Sequence, residues 1–193
     1  MKNLIFVLAC LFSVSVFGQG ACNNQTSVTH QGYEYDIVEI GDQCWFAENL
    51  RANQYLNEDP IQNFAETGWN NGLPVGATIV YGSDSPALNV GYCHDYVPEF
   101  EACDEEIALI EFGRLYNFYT ILDDRGICPS GWKVPSDTDW KDLELELGMS
   151  ENDLDEVGWR GNIGPNLKSE YTWDNDGNGT NSSGFNGKAH GSA

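Results

Sequence analysis

The residues best suited to metal chemistry lie in the motif DNDGNGT near the C-terminus. Oxygen-bearing side chains at alternating positions around a glycine are what a flexible Ca²⁺ loop requires. The candidate ligands are Asp174, Asp176 and Asn178, and Thr180 could add a backbone carbonyl. The twelfth position of an EF-hand loop, which needs a bidentate glutamate, is Phe185 here. The pattern therefore indicates either a weak Ca²⁺ site or a plain polar loop, and no other cofactor is expected.

Side chains suited to catalysis are sparse. The histidines are His30, His94 and His190, and none stands at zinc-ligand spacing from another histidine or from a cysteine pair. Cys93 precedes His94, but neighbouring side chains on an extended chain point to opposite faces. Carboxylate pairs are so abundant that none singles out a glycosidase. We predict that the protein has no catalytic residue and is not an enzyme, with an extracellular hydrolase as the alternative.

Aromatic side chains in loops are the best candidates for ligand binding. Trp69, Trp159 and Trp173 lie in segments rich in turn-forming residues, where recognition residues concentrate. Aromatic faces stack on sugar rings, and nearby asparagine amides can bond to sugar hydroxyls. These tryptophans predict a binding module for a glycan or a cell-surface protein, unless they are buried. A purely structural adhesion module is a further alternative.

The charge of the chain limits its partners. The formal net charge is −21, and the basic residues are scattered singly. No basic patch could neutralise phosphates, so nucleic acid and anionic membrane surfaces are excluded as expected partners. The acidic surface is typical of a soluble secreted protein, although some carboxylates could bind a divalent cation.

The N-terminus has the pattern of a secretory signal peptide. Lys2 precedes the apolar run LIFVLACLFSVSVFG, and Val16 and Gly18 occupy the small-residue positions of a cleavage site. A membrane anchor and a lipoprotein are the alternatives, but an apolar run of about 15 residues is short for a spanning helix. We predict a signal peptide over 1–18, a linker over 19–32 and one domain over 33–193. The expected location is the outer cell surface or the medium, with no transmembrane segment in the mature chain.

Five cysteines remain after the predicted cleavage, which is an odd number for an oxidising compartment. Cys93 and Cys103 bracket a short acidic loop and are the first expected disulfide. Cys22 with Cys44 is the second. Cys128 is then expected to be unpaired.

Two stretches have the pattern of β structure. From Gly32 to Asn49 the run YEYDIVEI alternates apolar and polar residues, and Gly41 with Asp42 offers a turn into QCWFAENL. This predicts a hairpin. A short strand is predicted at Ala77–Tyr81, within long loops.

Three helices are predicted. The apolar spacing of FGRLYNFYTIL, from Phe112 to Leu122, predicts a helix that buries its aromatic stripe. Ser136 as N-cap, with Asp139 three residues later and Gly148 at the end, predicts a capped amphipathic helix. A short acidic helix is predicted near Glu151–Val157.

Four motifs in order carry a resemblance to a known family: IGDQCWFAENLR, GRLYNFYTIL, ICPSGWKVPSDTDW and SSGFNG. Together they resemble the Fibrobacter succinogenes major paralogous domain of secreted and surface proteins in Bacteroidetes and Fibrobacteres. The resemblance covers about Tyr33 to Gly187. The family has no assigned activity, so it implies a location and a fold more than a mechanism.

The run ICPSGWKVPSDTDW is also similar to the helix entry of C-type-lectin-like and formylglycine-generating-enzyme-like domains. This similarity implies an α+β, C-type-lectin-like domain with long loops, short antiparallel strands and two or three helices. The paired cysteine site of formylglycine-generating enzymes is not visible here, so a relative of those enzymes is only an alternative. In the resembled family a later cysteine would pair with the position of Cys128, so the fold is expected to be incomplete at the C-terminus.

Overall fold

A computed structural model describes residues 5–7, 10–12, 20–64, 75–80, 104–158, 160–173 and 176–189. Within these ranges the strands are β1 (Ile5–Val7), β2 (Leu11–Phe12), β3 (Ser27–His30), β4 (Tyr33–Ile40), β5 (Gln43–Phe46), β6 (Gln62–Asn63), β7 (Ala77–Val80), β8 (Arg114–Asn117) and β9 (Trp132–Lys133). The helices there are α1 (Glu105–Phe112), α2 (Phe118–Ile121), α3 (Asp137–Glu146) and α4 (Gly164–Leu167). The chain is α+β, as predicted. None of the helices in the described ranges is long and apolar enough to cross a membrane.

The chain divides into two compact units. The described residues of the first unit fall in 5–7, 49–64, 75–80 and 104–129. It contains a four-stranded sheet in the order β1-β8-β7-β6. The second unit comprises the remaining described residues and contains a five-stranded sheet in the order β3-β4-β5-β2-β9.

The predicted hairpin forms the centre of the five-stranded sheet. β4 and β5 pair antiparallel, from Ile37 opposite Phe46 to Ile40 opposite Gln43. Gly41 at the turn has a φ of 58°, which glycine adopts without a steric penalty. β3 extends the sheet on the other side of β4, so the segment predicted to be a linker contributes a strand.

Residues of the predicted signal peptide also lie in both sheets. β1 pairs with β8, and β2 lies between β5 and β9, antiparallel to both. Cys10 and Leu11 are fully buried, and Leu11 belongs to a core cluster with Trp45 and Leu143. In the uncut chain this apolar segment is therefore structural. Cleavage after Gly18 remains a prediction.

The capped helix forms as the sequence predicts. Ser136 accepts a hydrogen bond from the N–H of Asp139, and the Asp139 carboxylate accepts one from the N–H of Ser136, which completes a capping box. Lys133 also donates to Asp139 at 2.8 Å. The chain leaves the helix through Gly148, whose φ is 94°.

Three of the family-like motifs meet in one aromatic cluster of the second unit. Trp45 of β5 is fully buried, with ring centroids 4.8 Å from Trp140 of α3 and 5.8 Å from Phe185. Trp140 and Phe185 are 5.7 Å apart, edge to face. Such tilted and edge-to-face pairs add to area burial in a core. The tryptophans of these motifs are therefore packing residues.

The prediction of a helix across FGRLYNFYTIL was wrong for its first half. Arg114–Asn117 is strand β8, and only Phe118–Ile121 is helical. Gly113 has a φ of 68°, and a Cβ there would lie 2.9 Å from the carbonyl oxygen of Leu50. This turn lets the chain pass close to Leu50, whose carbonyl accepts a hydrogen bond from the N–H of Arg114. Pairing with β7 then overrides the helical spacing.

The aromatic stripe of that segment is only half buried. Phe112 and Leu115 are buried, but Phe118, Tyr119 and Leu122 are about half exposed, at 48%, 47% and 60%. The short helix α2 has its N-cap at Asn117, whose side chain accepts from the N–H groups of Thr120 and Ala77.

The helix predicted near Glu151–Val157 does not form. That stretch consists of turns, with hydrogen bonds from the N–H of Asp153 to Ser150 and from the N–H of Glu156 to Asp153. Its packing contribution comes from Leu154, which joins Met149 and Ile163 in a small core. Seven residues are too few to form a stable helix without the packing of an apolar face.

The disulfides partly follow the prediction. Cys22 and Cys44 are bonded, which confirms that pair. Cys128 is also disulfide-bonded, so the expectation that it is unpaired was wrong. That expectation left out Cys10, because Cys10 lies in the predicted signal peptide. Cys10 is also disulfide-bonded. Cys93 and Cys103 lie outside the described residues.

Candidate functional site

The predicted Ca²⁺-ligand residues lie in the segment 167–187, and backbone hydrogen bonds join the two ends of this segment. The N–H of Gly187 donates to Leu167, and the N–H of Ser169 returns a bond to Gly187, each at 2.8 Å. The N–H of Gly179 donates to Ser169 at 2.8 Å. Gly179 packs so closely that a Cβ would clash with the carbonyl oxygens of Lys168 and Pro165. Backbone hydrogen bonds therefore hold the loop in place.

A strained turn lies at the centre of this segment. Thr172 has a φ of 79°, which is a genuine outlier for a β-branched residue. Its hydroxyl accepts a hydrogen bond from the N–H of Ala189 at 3.0 Å and lies 3.2 Å from the hydroxyl of Ser169. Ser169 is fully buried and also donates to the carbonyl of Tyr171. These bonds maintain a conformation that costs of order 1–3 kcal/mol.

The strained turn presents an aromatic ring on each side, and a lysine covers each ring. The Lys188 ammonium lies 3.6 Å from the ring centroid of Tyr171, and the Lys168 ammonium lies 4.2 Å from that of Trp173. Tyr171 is 42% exposed. Trp173 is half-buried, and its indole N–H donates to the carbonyl of Gly187 at 3.1 Å. We call these four side chains, Lys168, Tyr171, Trp173 and Lys188, the aromatic face.

Of the predicted ligand-binding tryptophans, only Trp173 lies in the described part of the chain and can be placed. Trp69 and Trp159 fall outside it. Tyr171 and the two lysines were not predicted, although the run KSEYTW places charge and aromatic residues together. The pairing with Lys188 could not be seen because that residue is distant in sequence and is brought to Tyr171 by the fold.

The predicted Ca²⁺ loop is only partly described. Asp174 lies outside the described residues, and Asp176 is exposed with a φ of 59°. The Asn178 side-chain carbonyl accepts from the N–H of Trp173, and the Thr180 hydroxyl contacts the carbonyl of Pro165. No group of three or more metal-binding side chains occurs in the described ranges.

A lysine also takes part in that loop. The Lys168 ammonium donates to the carbonyl of Gly177 at 3.2 Å. A cationic donor at a loop carbonyl opposes the binding of a second cation there. Ca²⁺ binding by this motif stays a prediction, and the contacts of Lys168 count against it.

A second polar cluster lies in the first unit and joins two loops; we call it the clamp. The Arg125 guanidinium lies 3.8 Å from the ring centroid of Tyr55 and forms ion pairs with Asp59 at 2.8 Å and with Asp123 at 2.7 Å. Hydrogen bonds from Arg125 lower the pKa of Asp123 to about 2 and also lower the pKa of Asp59. Burial raises the pKa of Tyr55. Because the guanidinium is bound to both carboxylates, this cluster is a structural contact.

The fold and this face define a disulfide-containing α+β domain with aromatic and basic side chains on a rigid loop. The chain belongs to the Fibrobacter succinogenes major domain family, whose profile matches residues 38–193. This confirms the resemblance carried by the four motifs. No curated protein and no solved structure matches the chain. The likeness to C-type lectins remains an expectation from the motif.

Proposed function

We propose that this protein is an extracellular binding module that holds a saccharide on the aromatic face. The observation that carries the proposal is the strained Thr172 between Tyr171 and Trp173. Strained backbone in a loop is maintained only by surrounding contacts and is concentrated at functional sites. Here those contacts hold two aromatic rings in the second unit near two hydrogen-bond donors.

The chemistry of the face suits a sugar. An exposed tyrosine ring offers an apolar surface for the C–H face of a pyranose, and lysine ammonium groups can donate to its hydroxyls. The rings have few rotatable bonds, and the bond from the Trp173 indole to Gly187 further limits that ring. Side chains ordered before binding lose less entropy when the ligand arrives.

An extracellular location is consistent with the disulfides, which persist in oxidising compartments. Secretion through the predicted leader, binding without catalysis and the lack of a required cofactor belong to the same proposal. A cell-surface protein is the alternative ligand.

The proposal can be tested on a glycan array with the full chain. We expect saturable binding that falls by about tenfold or more in Trp173→Ala and in Tyr171→Ala, equivalent to about 1.4 kcal/mol of lost contact. Tyr119→Ala is the matched control, because Tyr119 is similarly exposed, at 47%, but lies in the first unit. Binding that is insensitive to both face variants, or equally sensitive to Tyr119→Ala, would contradict the proposal.

A further inference from the structure

We propose that the aromatic face selects saccharides that carry a carboxylate, such as uronic acids, through Lys168 and Lys188. This inference rests on the proposed function, because it names the class of sugar bound at the same site. A uronic acid presents an apolar ring face and an anionic group at its edge. The aromatic face offers the complementary pair, an aromatic surface with an ammonium group beside it.

The segment that carries the aromatic face is less acidic than the rest of the chain taken as a whole. Between Leu167 and Ala189 two lysines oppose Glu170, Asp174 and Asp176, which gives a formal charge of 2 − 3 = −1. The rest of the chain carries −21 + 1 = −20. At physiological ionic strength charges beyond about 8 Å are largely screened, so the lysines in contact with the ligand determine its affinity.

Both ammonium groups are held in place before a ligand binds. Lys168 contacts the Trp173 ring and the carbonyl of Gly177, and Lys188 contacts the ring and the hydroxyl of Tyr171. A free lysine side chain loses considerable rotamer entropy when it forms an ion pair. Here part of that entropy is already lost, so a carboxylate gains more from each contact than it would from a mobile surface lysine.

The two lysines approach the face from different parts of the chain. Lys168 directly follows α4, whereas Lys188 lies beyond the polar loop. The hydrogen bonds of Gly187 to Leu167 and Ser169 hold these stretches together. Only the folded segment therefore places both cations beside the aromatic rings. A carboxylate beside either ring can accept a hydrogen bond from the ammonium group there.

The test compares an oligogalacturonate with its methyl-esterified form by calorimetry on the full chain. The two ligands share ring and hydroxyls and differ in charge. We expect the acid form to bind at least about tenfold more tightly, a difference typical of one hydrogen bond to a charged group. The preference should shrink between about 0.1 and 1 M NaCl, where the Debye length falls from about 10 to about 3 Å.

Substitutions distinguish a contribution of Lys168 and Lys188 from a general effect of the net charge of the protein. Lys168→Gln and Lys188→Gln should each weaken binding of the acid form more than binding of the ester, so that the preference for the acid form falls severalfold. Lys188→Arg should retain the preference, because arginine keeps the charge and stacks on tyrosine. Lys141→Gln is the control: it removes the same charge from a lysine bound to Asp137 and Asp155.

Equal affinity for acid and ester, or a preference that survives in the Lys168→Gln/Lys188→Gln double variant, would overturn the inference. Its failure differs from failure of the proposed function. If Trp173→Ala abolishes binding of both forms while the lysine variants change neither, the face binds sugars without selecting for charge. If neither Trp173→Ala nor Tyr171→Ala changes binding on the glycan array, the proposed function itself is wrong.

Discussion

Aromatic residues occur in two contrasting environments within the second unit. In the cluster of the fully buried Trp45 with the partly buried Trp140 and Phe185, here called the buried cluster, the rings contact one another at centroid distances of 4.8–5.8 Å. In the aromatic face the rings of Tyr171 and Trp173 instead contact lysine ammonium groups. The first environment removes apolar area from water, whereas the second keeps aromatic surface near charge and solvent.

The two environments also differ in their relation to the family-like motifs. Trp45, Trp140 and Phe185 come from three motifs that lie far apart in the chain and meet in the core. Tyr171 and Trp173 lie between motifs, in a loop ordered by hydrogen bonds. The buried cluster is therefore built from the family-like motifs, whereas the aromatic face is built from residues outside them.

The largest expected effect is on the buried cluster. Trp45→Ala should lower the free energy of unfolding by about 3–5 kcal/mol, because it leaves a large cavity among packed rings. Tyr171→Ala should lower it by less than about 1 kcal/mol, as expected for an exposed side chain. Urea unfolding of both variants measures the difference. Similar losses would show that the two environments do not differ energetically.

The second prediction asks whether the leader segment contributes to the same buried cluster. Leu11→Ala in the uncut chain should cost about 2–5 kcal/mol, since Leu11 is fully buried beside Trp45. Leu56→Ala is the matched control, with a leucine that is 50% exposed, and should cost less than about 1 kcal/mol.

A chain that begins at Gln19 lacks β1, β2 and the disulfide-bonded Cys10, and it should unfold at a lower urea concentration than the uncut chain. Intact mass of the secreted protein establishes which form is exported. Equal urea midpoints for the two forms would show that the segment before Gln19 does not stabilise the fold.

The third prediction tests the turn that supports the aromatic face. Thr172→Gly removes the steric penalty at a φ of 79° but also removes the hydroxyl that accepts from Ala189. These effects oppose each other, so stability should change by less than about 1 kcal/mol. Ligand affinity should nevertheless fall severalfold, because the rings lose their fixed support. Thr172→Ser keeps the hydroxyl and should keep the affinity; equal affinity in all three proteins would contradict this role.

The smallest effect concerns another aromatic–cation contact in the described residues, that of Arg125 with the ring of Tyr55. The pKa of Asp123 is lowered from 3.8 to about 2 by its bonds to Arg125. A lowered carboxylate pKa stabilises the fold above the unfolded value, so the contribution is complete above about pH 4 and is lost as the pH falls through about 2. Melting temperatures between these values should fall less steeply in Asp123→Asn. Identical profiles would show that the ion pairs of Arg125 make no measurable contribution to stability, which is common for exposed ion pairs.

Local patterns were the most reliable guides to the fold. The capping box of Ser136 and Asp139 and the turn at Gly41 each depend on residues a few positions apart, and both form as predicted. The helix predicted across Arg114–Asn117 failed because the chain there bonds to Leu50 and pairs with β7. Spacing alone cannot reveal such a distant partner.

The candidate site was predicted only in part for the same reason. Trp173 was identified from its loop context, but its lysine partner and the support from Gly187 depend on contacts made by the fold. Cys128 was misjudged because a segment with the composition of a leader was excluded from the cysteine count. The composition of that segment indicates export and says nothing of its place in the sheets.

The sequence by itself determined the family, the α+β class, the disulfide between Cys22 and Cys44 and the helix that begins after Ser136. Motif order, alternation and capping are local properties, so they can be found without coordinates. Only the tertiary structure decided that β2 lies between β5 and β9 and that Lys188 lies over Tyr171. Both contacts join residues far apart in the chain, and their free energy is gained only when folding brings the two parts together.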